Sequence, residues 1–253
     1  MKKLVFILSL LLLSSLMHAQ QAEQERMIEQ ANQSYSAAEY EMAISQYESV
    51  INSGFESSAL YFNLGNAYFK VGNIPAAILF YEKARKLDPT DENIQFNLDL
   101  ANSRIIDKMD PLPQFFLKAW LKSARNIFTS DQWARTSIVC FILLLLSALF
   151  FIISVSVLTR KISFWAGIIF LAFMSVSLIF SLSSYHEYSR KSTAIIFTPT
   201  VTVKSSPNEN SVDLFVIHEG TKVYITDLVE GWSEVRLGNG NVGWIRTETY
   251  RSI

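Results

Sequence analysis

The sequence predicts a multidomain chain: an α-helical repeat solenoid, a two-helix transmembrane hairpin and a small C-terminal all-β barrel. Three observations predict it. Residues 58–91 carry a helix–turn–helix pattern at the spacing of a roughly 34-residue repeat. Residues 137–159 and 162–185 hold no charged side chain, and only Arg160-Lys161 parts them. Residues 194–253 alternate short β-branched runs with turn residues.

The repeat reads Tyr61-x2-Leu64-Gly65-x2-Tyr68, then Gly72, Ala77, Tyr81, Ala84 and Pro89. In this order the residues resemble the tetratricopeptide repeat (TPR), and the resemblance implies a pair of antiparallel helices. Gly65 and Ala77 permit close approach, Tyr68 and Tyr81 fill the space between the helices, and Pro89 stops the second helix. A weaker copy lies one repeat earlier. Ala31, Asn32, Tyr35, Ala43, Ile44 and Tyr47 align with Gly65, Asn66, Phe69, Ala77, Ile78 and Tyr81. Half a copy follows, with Asn97-Leu98 on Asn63-Leu64. The expected helices run near 22–37, 40–52, 57–71, 74–87 and 91–107, with Thr90 or Asp91 capping the last. Residues 20–108 therefore read as two repeats plus a capping helix. That is fewer than the three or more repeats a solenoid ordinarily needs, so a partner or self-association is expected to support it.

The N-terminus reads as a secretory signal over residues 1–19. Lys2-Lys3 is the basic start, Leu4 to Leu16 the apolar stretch, and Ala19 the small residue before Gln20. An uncleaved anchor is the alternative. In either case residues 20–136 are expected outside the cytoplasm.

Residues 109–136 form a linker and a juxtamembrane helix. Pro111 and Pro113 mark the linker. Phe116, Leu117, Trp120, Leu121, Ala124, Ile127 and Phe128 then share one helical face, and Lys118, Lys122 and Arg125 the other. This pattern suits a bilayer surface or a helix packed on protein. Ser130-Asp131 restarts a helix into the first span.

Each uncharged run is about 35 Å long as a helix, enough to cross a hydrocarbon core of about 30 Å. The Arg160-Lys161 turn facing the cytoplasm obeys the positive-inside rule. The outer flanks run against it: Lys118, Lys122, Arg125 and Arg135 precede the hairpin, and Arg190-Lys191 follow it.

In the C-terminal segment, strands are expected at 201–204, 214–217, 222–226, 232–235 and 242–245. Val201-x-Val203-Lys204-Ser-Ser-Pro207, Gly220-Thr-Lys-Val223, Gly231-Trp232-x2-Val235-Arg236 and Gly240-x2-Gly243-Trp244-Ile245 resemble the bacterial SH3 (SH3b) domain. That resemblance implies a small barrel that binds cell-wall peptides or proteins. Trp232 and Trp244 are its ligand candidates; alternatively both hold a small barrel together.

Composition excludes several classes. The net charge of −1 gives no electrostatic case for nucleic acid. The single cysteine, Cys140, lies in a span, so neither a disulfide nor a Cys/His pair is expected. The three histidines, His18, His186 and His218, have no metal-ligand spacing. No phosphate loop is present. The expectation is therefore a protein that is not an enzyme, with no catalytic residues, cofactor or metal.

The expected binding surface is the concave face of the repeats. It comprises Ile28, Asn32 and Tyr35 from the first repeat, Phe62, Asn63, Asn66 and Phe69 from the second, and Phe96, Asn97, Leu100 and Arg104 from the cap. Asparagines bond both peptide N–H and C=O groups, and the aromatics supply apolar contact, so the set suits an extended peptide or a helix. A solvated or intrahelical role is the alternative for each Asn.

The order of signal, repeat pair, amphipathic helix, hairpin and SH3b module resembles the BatE-like TPR/SH3 proteins of the Bacteroides aerotolerance (Bat) operon. The resemblance implies a scaffold of the bacterial inner membrane with its TPR and SH3b modules in the periplasm. Its implied partners are von Willebrand A-type Bat proteins, a MoxR-type ATPase and other Bat components. Its implied role is in aerotolerance or envelope stress. The different-class alternative is a wall-sensing protein that grips peptidoglycan.

Overall fold

The computed structural model describes residues 23–108, 115–189 and 192–253. The expected signal over 1–19, the linker prolines and the Arg190-Lys191 flank lie outside these residues.

Five helices build the N-terminal module: α1 over 23–36, α2 Tyr40–Asn52, α3 Ser58–Lys70, α4 Ile74–Leu87 and α5 Glu92–Asn102. Local chemistry sets their starts. Ser57 accepts the Leu60 N–H, Asn73 the Ala76 N–H and Asp91 the Asn93 N–H, each satisfying a donor that the first helical turn leaves open. Tyr81 is fully buried against Gly65, and a methyl group at Gly65 would lie 2.7 Å from its ring. Tyr68 sits at the rim instead, its ring stacked on Phe80 at 5.5 Å.

The last helix is shorter than expected, ending at Asn102 rather than near 107. Tertiary contact takes the chain away. Ile105 packs over Gly220, and the Asp107 carboxylate accepts bonds from the His218 backbone N–H and the Thr221 hydroxyl.

Next come α6 (Phe116–Arg125), α7 (Ser130–Ile153) and α8 (Val157–Ser189). The last two are long and apolar enough to cross a membrane. They pack antiparallel. The Ser130 and Ser181 hydroxyls each donate to the other residue's carbonyl, and Phe151 meets Phe164 at the far end. The turn falls at 154–156 rather than at Arg160-Lys161, which lie within the first turns of α8. Ser154 takes an extended backbone, and Arg160 Nε donates to its carbonyl at 2.8 Å, so the basic side chain closes the turn from inside the next helix.

The C-terminal segment forms β1 (Thr193–Ile196), β2 (Thr200–Lys204), β3 (Asp213–His218), β4 (Lys222–Val229), β5 (Trp232–Arg236), β6 (Val242–Arg246) and β7 (Tyr250–Ser252). They make one antiparallel sheet in the order β3-β2-β6-β5-β4-β1-β7. Ile217 near one edge and Ala194 and Ile196 near the other share a single apolar core, so the sheet wraps around it. Glu230 and Gly231 both take positive φ in the two-residue β4–β5 turn, as that hairpin geometry requires.

Strands β1 and β7 were not expected, and they join the two modules. Alternation along β1 turns Ala194 and Ile196 into the barrel core and Ile195 into the helical core, where Ile253 and Phe197 also pack. Both modules therefore lie on the same side of the hairpin.

Candidate functional site

A cleft of about 200 Å³ is lined by Asn32, Tyr35, Ser36, Tyr47, Asn63 and Asn66. One bond occurs twice. The Tyr47 hydroxyl donates to Asn32 Oδ1 at 2.7 Å, and the Tyr81 hydroxyl to Asn66 Oδ1 at 2.8 Å. Donor and acceptor are repeat equivalents in both cases. Burial, with smaller contributions from Tyr35 and Glu29, pushes the Tyr47 phenol up to about 12. Burial raises Tyr81 too. Both stay protonated and donate, which turns the asparagine oxygens inward.

Asn63 Nδ2 donates to the same Asn32 oxygen at 3.1 Å. Asn32 and Asn63 are thus bonded to each other across the helices, and Asn66 is held by Tyr81. Asn32 and Asn66 have their oxygens engaged within the repeats. The side-chain amides and hydroxyls of the cleft carry both donors and acceptors, as peptide recognition uses.

Residues 58–91 match the tetratricopeptide repeat family pattern. No curated protein matches the chain. The TPR match covers α3 and α4, the helices that supply Asn63, Asn66 and Tyr81.

The other expected groove residues divide. Ile28, Tyr35, Phe62 and Phe69 are half-buried and pack on the helical core, Phe62 with its ring 5.9 Å from that of Tyr81. Phe96 and Leu100 project from α5, with Phe96 67% exposed. Arg104 stands over the Phe69 ring at 5.7 Å. Asn97 donates to the Asn93 carbonyl in its own helix, at 2.9 Å. Tyr47 and Ser36 line the cleft without having been singled out. The alignment of Tyr47 with Tyr81 was the signal that pointed to the first.

Helix α4 also contacts the C-terminal sheet. Glu82 of α4 is buried and pairs with Lys222 of β4 at 2.8 Å and with Arg85 at 2.6 Å. Burial raises the Glu82 carboxyl, but the Lys222 and Arg85 cations outweigh it and hold the group below the usual carboxylate range. Burial likewise opposes the Asp107 charge, and the bonds from His218 and Thr221 reverse it, so its carboxyl is also lowered.

Trp232 and Trp244 lie on the same outer face of the sheet, as diagonal neighbours on β5 and β6. Trp232 is buried, with the Arg246 guanidinium 4.3 Å above its ring and Glu209 holding that arginine at 2.6 Å. Trp244 is half-buried between Glu234 and Lys204. Among the described residues no three His, Cys, Asp or Glu side chains converge where they could hold a metal ion.

Proposed function

We propose that this chain is a non-enzymatic scaffold of the bacterial inner membrane that recruits a partner protein through its TPR cleft. The asparagine-lined cleft supports the reading. Side-chain amides recur in it at repeat spacing, and α5 adds exposed Phe96 and Leu100, a combination that suits an extended segment. Ile195, Phe197 and Ile253 of the C-terminal segment already pack on the helical core, and the partner is assigned to the cleft instead. The C-terminal sheet, read as an SH3b-like module, adds a second contact. Holding both on one membrane-tied unit raises the effective concentration for a two-point partner.

The module order supports a BatE-like role, with von Willebrand A-type Bat proteins and a MoxR-type ATPase as partners in aerotolerance or envelope stress. Both modules would then be periplasmic. The wall-sensing alternative uses Trp232 or Trp244 as a peptidoglycan platform. Arg246 lies over the first and covers the ring face such a platform would use.

The test is in-cell crosslinking and capture of the full-length protein beside a Phe96→Ala/Leu100→Ala variant. Both side chains are exposed, so their removal leaves the fold intact. Loss of specific membrane partners in the variant supports the cleft. An unchanged partner set rejects it and moves binding to the sheet or hairpin. Sedimentation with purified cell wall, abolished by Trp244→Ala, would establish the alternative.

A further inference from the structure

Helix α6 has only ten residues, and its Phe115 cap position makes no side-chain capping bond. A helix this short is marginal in water without tertiary packing. Yet the apolar face has almost none. Phe116 is 75% exposed and Trp120 63%, and Leu117 and Leu121 are exposed beside them. Ile127 and Phe128, just past the helix end, extend the same exposed surface.

The helix is nevertheless held at a definite level. The Trp133 indole N–H in the first turn of α7 donates to the Arg125 carbonyl at 2.7 Å. The Arg125 guanidinium, largely buried, forms an ion pair with Glu187 and bonds Ser183 Oγ at 3.3 Å, both on α8. Phe128, Trp133 and Phe180 stack edge to face at 4.9 and 5.1 Å beside this junction. Aromatic clusters at the ends of membrane spans mark the headgroup layer. The short segment 126–129 joins α6 to the apolar helix α7.

We infer that α6 lies in the headgroup layer of the leaflet at the Arg125 end of the hairpin, its Phe116-Leu117-Trp120-Leu121 face against the acyl chains and Lys122 toward anionic phosphates. Three observations converge on lipid as the occupant. Exposed Ile127 and Phe128 join the apolar face to the start of α7, the aromatic cluster sets its depth, and Lys122 lies across the helix from Phe116 and Trp120. The inference is independent of what the TPR cleft binds.

The test uses the full-length chain with Cys140→Ser and one new cysteine, Trp120→Cys or Lys122→Cys, with Leu117→Cys as a second apolar-face site. Each carries an environment-sensitive fluorophore in vesicles of phosphatidylcholine, with or without phosphatidylglycerol. Leu145→Cys within α7 is the control for correct insertion. The expected result is blue-shifted emission at 117 and 120, with several-fold stronger quenching by lipid-borne quenchers than at 122, increased by phosphatidylglycerol. Water-like emission at 117 and 120 in an inserted protein would overturn the inference. Blue-shifted emission without lipid quenching would also overturn it and place protein, such as a second copy, on that face. Quenching that ignores phosphatidylglycerol would remove the role given to Lys122.

Discussion

Glu82 and Lys222 meet as an ion pair, Oε2 to Nζ 2.8 Å, although one belongs to a TPR helix and the other to the C-terminal sheet. Breaking a buried pair from one side leaves a charge without its partner, which costs about 3–5 kcal/mol where both are fully buried. Lys222 keeps 27% of its side-chain exposure, so a smaller cost of about 2 kcal/mol is expected for Glu82→Ala. Replacing both groups by apolar residues, Glu82→Leu with Lys222→Met, should recover most of it. Hydrogen exchange is the readout. Amides of β1 and β7 should exchange faster in Glu82→Ala, while those of β5 and β6 hold. Uniform loss of protection would mean that the pair supports the whole sheet rather than the junction.

The same junction should be acid-sensitive. Glu82 and Asp107 both have folded-state carboxyls held below their ordinary values, so each binds its proton less readily folded than unfolded. Their contribution is present above the unfolded carboxylate range, about pH 4, and is lost as pH falls through the lower folded values. Exchange at β1 and β7 should therefore rise below about pH 4, before the β5–β6 hairpin loses protection. Asp107→Asn should weaken this response. An unaltered profile would show that Asp107 does not titrate at the junction.

These contacts mark where the sequence ceases to be legible. Helices α1 to α4 follow from a repeat whose glycines, alanines and tyrosines carry both type and register, and expected and observed ends differ by a residue or so. The strands rich in Val and Ile between Gly- and Asn-containing turns were equally readable. Strands β1 and β7 were not. Thr193–Ile196 is a short apolar run without alternating polar residues, and Tyr250–Ser252 has only three residues. Their strand character comes from pairing with each other and with β4, and the burial of Ile195 from the helical core, so the information is non-local. The early end of α5 has the same origin, because Asp107 is drawn to β3 and the turn that follows it. In the cleft, residue type was legible but orientation was not. Nothing in the order of Asn32 and Asn66 tells which amide atom the tyrosines engage.

Gly65 gives a test in which two effects oppose. In a helix, Gly→Ala ordinarily gains up to about 1 kcal/mol from backbone propensity. Here the new methyl would meet two carbons of the Tyr81 ring at 2.7 Å, and Tyr81 is fully buried. Overpacking of that kind costs about 1–3 kcal/mol, so Gly65→Ala should lower stability on balance. Thermal unfolding of the full-length protein in detergent, followed by far-UV circular dichroism, reads the result. A raised midpoint would mean that α3 and α4 can part without loss.

The two tyrosine–asparagine bonds should not be worth the same, although the repeats present them alike. Removing either hydroxyl loses a bond worth about 1 kcal/mol and exposes the acceptor's need for a partner. After Tyr47→Phe, Asn32 Oδ1 still receives the Asn63 amide. After Tyr81→Phe, Asn66 Oδ1 has no remaining donor among the described residues. Tyr81→Phe should therefore be the more damaging, by a further fraction of the roughly 1–3 kcal/mol that an unsatisfied buried acceptor costs. The half-exposed position of Asn66 keeps the increment at the low end, since water can reach it. Adding Asn63→Ala to Tyr47→Phe removes the surviving donor and should widen the first repeat's loss toward that of the second. Unfolding midpoints of the three variants settle the order. Equal losses for the two single variants would mean that the Asn63 bond contributes nothing to holding Asn32.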